Sequence, residues 1–265
     1  MAAVGDLTVL TNVKGWLGIG TATDADANLA RLISAVSGTI KRYTSKGILY
    51  QSYSEVYNGN GKTLLMLRQL PVVSITSLYL DAQKSTLCPL SVGGQAGYLI
   101  EDKQAIRLIG YIFPKGSQNI SVTYPAGYQT LNEAQEVPAT PFTIDGTIQL
   151  GDLWRSDLGV TYADSTALTL VTGVPTVGQY AVSLAGVYQF AAADAGATVL
   201  ISYNSVPRDL ESVVIELVGE RYRTKSRIGE VSKVLAGETT SYSQKDMNDA
   251  AKLALQQFVT RYIGS

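Results

Sequence analysis

The stretch from Val206 to Gly229, VPRDLESVVIELVGERYRTKSRIG, constrains the fold more than any other. Pro207 suits a first helical turn, where its missing N–H leaves no bond unmade and its fixed φ already matches the helix. Asp209 and Glu211 follow at that end, and Arg221, Arg223, Lys225 and Arg227 close the segment, an order that suits the helix macrodipole. Leu210, Val213, Val214, Leu217 and Val218 recur at helical spacing as one apolar stripe. A helix with such a stripe has to be covered. The spacing therefore predicts a core helix around which the other segments find their places.

The basic cluster at its end has two readings. Four cations alternate with polar residues, and no acid intervenes between Arg221 and Gly229. The plainer reading is a solvated helix end that compensates the dipole. The sharper one is a surface that meets phosphate or an acidic partner.

Composition removes several classes of function. Of the 265 residues 46% are hydrophobic and only 16% charged, enough to bury a core and too apolar for a disordered chain. Lys+Arg at 21 against Asp+Glu at 22 argues against nucleic-acid binding over the whole surface, so any DNA contact must be local. There is no histidine and one cysteine, Cys88, which removes Ser–His–Asp and Cys–His catalysis, the usual zinc sites and an internal disulfide. The opening MAAVGDLTVL does not read as a signal peptide, and no apolar run approaches the ~20 residues of a membrane span. The expectation is a soluble protein made in a cytoplasm.

Along the chain, Thr11 to Gly18 reads as a short helix with Thr11 as cap and Gly18 as stop. Thr23 and Asp26 resemble a capping box, and Leu29, Leu32, Ile33, Val36, Ile40 and Tyr43 keep helical phase as far as Gly47. Strand patterns take over from Ile48. Asn58-Gly59-Asn60-Gly61 signals a hairpin, Leu64 to Leu67 returns, and Val72 to Leu80 reads as one long β-branched strand after Pro71. Asp81 to Gly97 is loop-like, with further strands at Ala105–Ile112 and Asn119–Tyr124 before a turn at Pro125-Ala126-Gly127.

Composition shifts after Tyr128. Between Gln135 and Ser205 the only cation is Arg155, and the segment is rich in Thr, Val, Gly and Ala. Short strands recur at Phe142–Ile144, Gly159–Tyr162, Leu168–Val171, Gln179–Ser183, Val187–Phe190 and Thr198–Tyr203, separated by turn residues. That spacing predicts a separable, acidic, all-β unit of sandwich or barrel type. Gly229 to Tyr242 is a polar loop. Ser243 and Asp246 then start a second helix, expected over about 243–263, with Met247, Ala251, Ala254, Phe258 and Tyr262 in line and Leu253 and Leu255 widening the apolar surface.

No stretch nominates a catalyst. Gly59-Asn60-Gly61-Lys62-Thr63 has a phosphate-loop ending without the upstream glycine spacing, and it falls in a turn. The acid pairs Asp24/Asp26 and Glu101/Asp102 suit a helix start and a strand end better than acid–base work. The expectation is a non-enzyme with no catalytic residue, cofactor or metal.

Several pieces, in order, resemble one family. VKGWLGI with LISAVSGTIKRYTSKG is similar to the opening of the tailed-phage head–tail connector (adaptor, or head-completion) family. LLMLRQLPVVSITSLYLDA resembles its central strands, ISVTYPAGY its last strand, and VPRDLESVVIELVGERYRTKSRIGEVS its core helix and following loop. The resemblance covers roughly residues 8–128 and 204–263. In that family the VTYPAGY-type strand runs almost directly into the VP-type helix, whereas here the acidic β segment intervenes. That segment, through GQYAVSLAGVYQFAAADAGATVLISY, is similar to small β modules of phage structural proteins.

The resemblance implies an α+β fold: a helical adaptor core with a small antiparallel sheet over 1–130 and 204–265, and an inserted all-β domain over 131–203. It implies a structural virion protein at the neck, assembled in the host cytoplasm as a homo-oligomeric ring of about twelve subunits below the portal. Such a ring extends the channel for packaged double-stranded DNA, helps retain that DNA, and docks tail or neck proteins. Met247, Leu255, Phe258 and Tyr262 are then expected at a portal or subunit interface, and Arg221, Arg223, Lys225 and Arg227 at the DNA channel or an interface. The alternative is a neck, tail or capsid-decoration protein whose β module binds a partner or a surface glycan.

Overall fold

The stripe on the central helix decides how the helices pack. In a computed structural model of the chain, described for residues 5–85, 87–224, 232–235, 238–241, 247 and 249–259, helix α3 spans Arg208–Thr224 and starts directly after Pro207. The Pro207 carbonyl accepts the Glu211 N–H at 3.0 Å. Leu210, Val213, Val214, Leu217 and Val218 are all buried. Three further helices pack on α3: α1 (Leu10–Leu17), α2 (Asp26–Thr44) and α4 (Asp249–Leu255). Leu29, Ile33, Val36 and Ile40 of α2 are wholly buried, one side chain per turn of a single face.

The helix starts differ from expectation. Val9 precedes α1 and Ala25 precedes α2, and neither makes a side-chain cap, so Thr11 and Thr23 do not serve as caps. The start of α2 is held from outside instead. The Thr23 carbonyl accepts the Asp26 N–H at 3.0 Å, and the Lys14 ammonium reaches both the Ala22 carbonyl (2.5 Å) and the Asp26 carboxylate (2.8 Å). Gly18 ends α1 in the left-handed conformation (φ 69°), as its sequence position predicts. Ser45 ends α2 the same way (φ 54°), two residues before Gly47.

Residues 46–128 form two three-stranded antiparallel sheets from β1 (Gln51–Gly59), β2 (Leu64–Met66), β3 (Ser77–Tyr79), β4 (Gly97–Glu101), β5 (Ala105–Ile109) and β6 (Gly116–Ala126). One runs β1-β6-β3 and the other β2-β5-β4. The Asn-Gly repeat is therefore not a hairpin turn, because β1 and β2 belong to different sheets. The Gly61 N–H bonds the Phe113 carbonyl (2.8 Å) and the Phe113 N–H bonds that of Lys62 (2.9 Å), which carries the chain across to β5. The expected long strand from Val72 is also broken. Val72 pairs with Ala126 and Ser77 with Thr123, so five steps on one side meet three on the other, and the two excess residues leave the ladder. Leu78, Ile106, Phe113, Ile120 and Tyr124 anchor the core between these strands.

Residues 129–206 supply β7 (Gln129–Glu136), β8 (Thr143–Asp145), β9 (Leu153–Tyr162), β10 (Thr169–Leu170), β11 (Gln179–Val182), β12 (Val187–Phe190) and β13 (Thr198–Val206). They make the sheets β7-β13-β9 and β10-β11-β12-β8, with β10 and β11 parallel and the register-defined remainder antiparallel. Val137, Ile144, Tyr188, Val199, Ile201 and Tyr203 lie in a core cluster distinct from that of the preceding sheets. Within the stretch read as a polar loop, β14 (Ser232–Leu235) and β15 (Glu238–Ser241) pair antiparallel. Only part of the expected helix over 243–263 lies within the described residues. There α4 gives way to a 3-10 turn at Gln256–Phe258, and Val259 is extended.

The fold is α+β, with four α-helices among the described residues and several small sheets, nearly all antiparallel. It divides into two compact units, one of residues 1–45, 151–153 and 206–265, the other of 46–150 and 154–205. The first holds the helices and the second the sheets β1 to β13.

Candidate partner-contact surfaces

In the helical unit one buried carboxylate ties the chain together. Glu211, in the first turn of α3, is 2% exposed. It accepts hydrogen bonds from the Thr8 hydroxyl (2.8 Å) and the Asn12 amide (2.7 Å), and its second oxygen pairs with Arg208 at 2.7 Å. Arg208 in turn donates from its backbone N–H to Asp152 (3.3 Å) and from Nε to the Gly151 carbonyl (3.1 Å). A carboxylate so deep needs several donors, and here it has three. Its position in the sequence fits an ordinary dipole-favoured acid equally well, so spacing alone did not reveal its burial.

The basic cluster begins on the last turn of α3. Arg221 is half-buried there and Arg223 exposed, while Lys225 and Arg227 lie outside the described residues. Two residues before Arg221, Trp16 of α1 lies against Gly219, where an added Cβ would sit 3.5 Å from the indole. Trp16 is 59% exposed, a large aromatic surface beside the start of the cationic turn.

Met247, Leu255 and Phe258, expected at an interface, are buried within the chain, and Tyr262 lies outside the described residues. Together with Ala251 the three form the covered side of the α4 segment, which packs on α3. Leu253 of α4 is 68% exposed instead.

In the sheet unit, phenols converge on carboxylates. Glu55 accepts from Tyr57 and, at 2.7 Å, from Tyr124, while these two hydroxyls accept the backbone N–H groups of Arg68 (3.0 Å) and Gln69 (3.1 Å). Asp157 accepts from Tyr180 (2.6 Å) and Tyr188 (2.9 Å), and the Trp154 indole N–H donates to the Tyr188 hydroxyl at 2.9 Å. Burial, followed by the hydrogen bond to Glu55, pushes Tyr57 and Tyr124 well above the ordinary phenol range. Burial together with the nearby Asp157 does the same to Tyr180 and Tyr188. These phenols stay protonated and act as interior fasteners. No histidine, metal-binding cluster or activated nucleophile accompanies them among the described residues.

The helical unit and the sheet unit each carry such polar anchors, and aromatic, aliphatic and cationic groups lie at the surface. A profile of the head completion protein family matches residues 6–140, just over half of the chain, and the chain belongs to that family. No curated protein sequence gives a significant match. Among solved structures, a chain from the neck of an empty gene transfer agent particle computed with C6 symmetry is similar, with a TM-score of 0.47 and 14% identity. The alignment covers 100% of this chain and 96% of that one. A chain from the virion of a native gene transfer agent particle gives 0.46 at 12% identity, covering 100% and 95%. One from the neck of a native particle computed with C12 symmetry gives 0.45 at 12%, with the same coverage. No helix of the described residues is long and apolar enough to cross a membrane.

Proposed function

We propose that this chain is a structural head–tail connector of a phage-like virion, a non-catalytic protein of the neck. The observation that carries the reading is the match of residues 6–140 to the head completion family. In this reading copies assemble as a ring, of about twelve subunits by family resemblance, below the portal. The ring lines the path of packaged double-stranded DNA and offers a docking face to tail or neck proteins.

Residues 1–130 and 204–265, helices and small sheets together, are the adaptor part, and 131–203 is an inserted β domain. A core cluster running from Val137 to Tyr203 supports that division. The segment carrying Met247, Leu255, Phe258 and Tyr262 is the part that reaches the portal. Three of these four are covered within the chain, and the exposed Leu253 beside them is a side chain available for contact. Arg221, Arg223, Lys225 and Arg227, repeated by rotation, give a positive band, and weak single contacts to a polyanion add through multiplicity.

The test is genetic and particle-level. Removing the gene from its own phage should leave full-sized heads that lose DNA and carry no tail, restored by supplying the chain in trans. Infectious, tailed particles in its absence would refute the connector reading.

A further inference from the structure

An open groove in the sheet unit is rimmed by lysines. Leu80, Gly110, Tyr111, Ile112 and Pro114 line a cavity of about 750 Å³, with Asp81 at one side. Tyr111 is 40% and Ile112 55% exposed, so the apolar floor lies open to water. Lys62 and Lys115 are the chain neighbours of the lining residues Thr63 and Pro114, and hydrogen bonds between Gly61, Phe113 and Lys62 bring these two stretches together. The Lys115 stem lies across Gly61, where a Cβ would come within 2.9 Å of Cε. Gly61 also has a φ of 76°, so a residue without a side chain is required there on both counts.

Lys84 enters from a turn closed by its own N–H on the Asp81 carbonyl at 3.2 Å. All three lysines are exposed, and none has an ion-pair partner among the described residues. Asp81 is the only acid in the lining, and its carboxylate accepts the Ser85 N–H at 2.9 Å.

The same chain carries the complement. Residues 131–203 hold seven acids and one cation, Arg155, and five of those acids are buried or half-buried. Glu136 and Asp164 are exposed acids of this segment. Exposed aliphatics accompany them, Leu184 at 98% and Val174 at 84%. A closed ring is held by a heterologous contact, in which two different patches of one chain meet on successive copies. A cationic, apolar-floored groove and an acidic segment with bare aliphatic side chains are such a pair.

We infer that the lysine-rimmed groove of one copy receives the acidic β segment 131–203 of the next copy. The inference rests on the ring reading and adds to it which two surfaces join. Opposite charges steer the approach and fix the register, while Leu80, Tyr111 and Ile112 supply the apolar area that holds it. DNA fits the groove less well, because phosphate contacts gain nothing from an apolar floor.

A charge-swap pair tests this on the full-length protein. K62E/K84E/K115E and E136K/D164K are prepared separately, checked for wild-type thermal melts, and examined by mass photometry and negative-stain microscopy alone and in equimolar mixture. Each variant alone should assemble at least tenfold more weakly than wild type. The mixture should restore rings, because each groove then meets surface residues 136 and 164 of opposite charge on the next copy.

Failure of the wild type to form rings would remove the ring reading itself. Wild-type rings accompanied by unimpaired rings of the lysine variant would overturn the groove proposal alone. So would two variants that stay apart in mixture as they do singly. A lysine variant that assembles normally but loses binding to a 30-base-pair duplex would also overturn it, and would assign the groove to DNA.

Discussion

Thr8 donates a 2.8 Å hydrogen bond to Glu211, 203 positions further along the chain. The bond joins the N-terminal strap to the first turn of the core helix, and Asn12 and Arg208 complete the same carboxylate. Its removal leaves buried donors without an acceptor. Glu211→Ala should therefore cost about 2–3 kcal/mol, and Thr8→Val about 1–2 kcal/mol. Chemical denaturation of both variants checks the order. Equal and negligible losses would mean that the strap is not held there.

Gly219 tests the contact with Trp16. Its added Cβ meets the indole at 3.5 Å, an ordinary van der Waals distance, and its φ is unremarkable for a helix. Gly219→Ala should stabilise the chain by up to ~1 kcal/mol through helix propensity. Gly219→Leu should instead push Trp16 away and lower the melting temperature. An intrinsic tryptophan emission shift in the leucine variant alone would locate the change at that contact.

The phenol–carboxylate networks set an alkaline limit. Tyr57, Tyr124, Tyr180 and Tyr188 have their pKa raised in the fold, with burial the largest cause. A raised folded-state value means that the stabilisation is whole below the unfolded phenol pKa of ~10 and is lost as pH climbs past it. Stability should hold to about pH 10 and then fall. Ultraviolet titration should find several of the 16 tyrosines protonated until the chain unfolds. Full tyrosine ionisation near pH 10 with the fold intact would contradict this.

The insert should be removable at its neck. Glu136 and Thr198 face each other across the β7–β13 ladder, so a two-residue Asn-Gly turn can join them in place of 137–197. Val199, Ile201 and Tyr203 lose their covering cluster and should be changed to Thr in the same chain, and Arg208 gives up its bonds to Gly151 and Asp152. The shortened protein should melt cooperatively. Aggregated material without a transition would show that residues 131–203 are not a module.

Much of this was legible in the residues. The stripes of α2 and α3 are regular enough that their burial follows from spacing alone, and the short strands from β8 to β13 sit close to where turn residues separate them, except that β9 starts six residues before the expected Gly159. What was hidden has physical causes. β7, QTLNEAQE, is too polar to signal a strand and exists because it pairs with β13. Asn-Gly after β1 predicts a hairpin locally, but pairing with β6 and β5 overrides it. Met247, Leu255 and Phe258 are expected at a portal or subunit interface, whereas they are buried within the chain, because α3, on which α4 packs, lies far away in sequence. The groove joins Thr63, Leu80, Gly110 and Pro114 from three separate stretches, and no local pattern marks them as neighbours.

The connector account is tested most directly by the mass and shape of the purified chain, alone and mixed with the portal of its own phage. Mass photometry and electron microscopy should find closed rings at an integer multiple of the chain mass, or rings that close on the portal and bind it coaxially. A protein that stays monomeric in both conditions, or that binds mature capsid surfaces and leaves the portal bare, would contradict it.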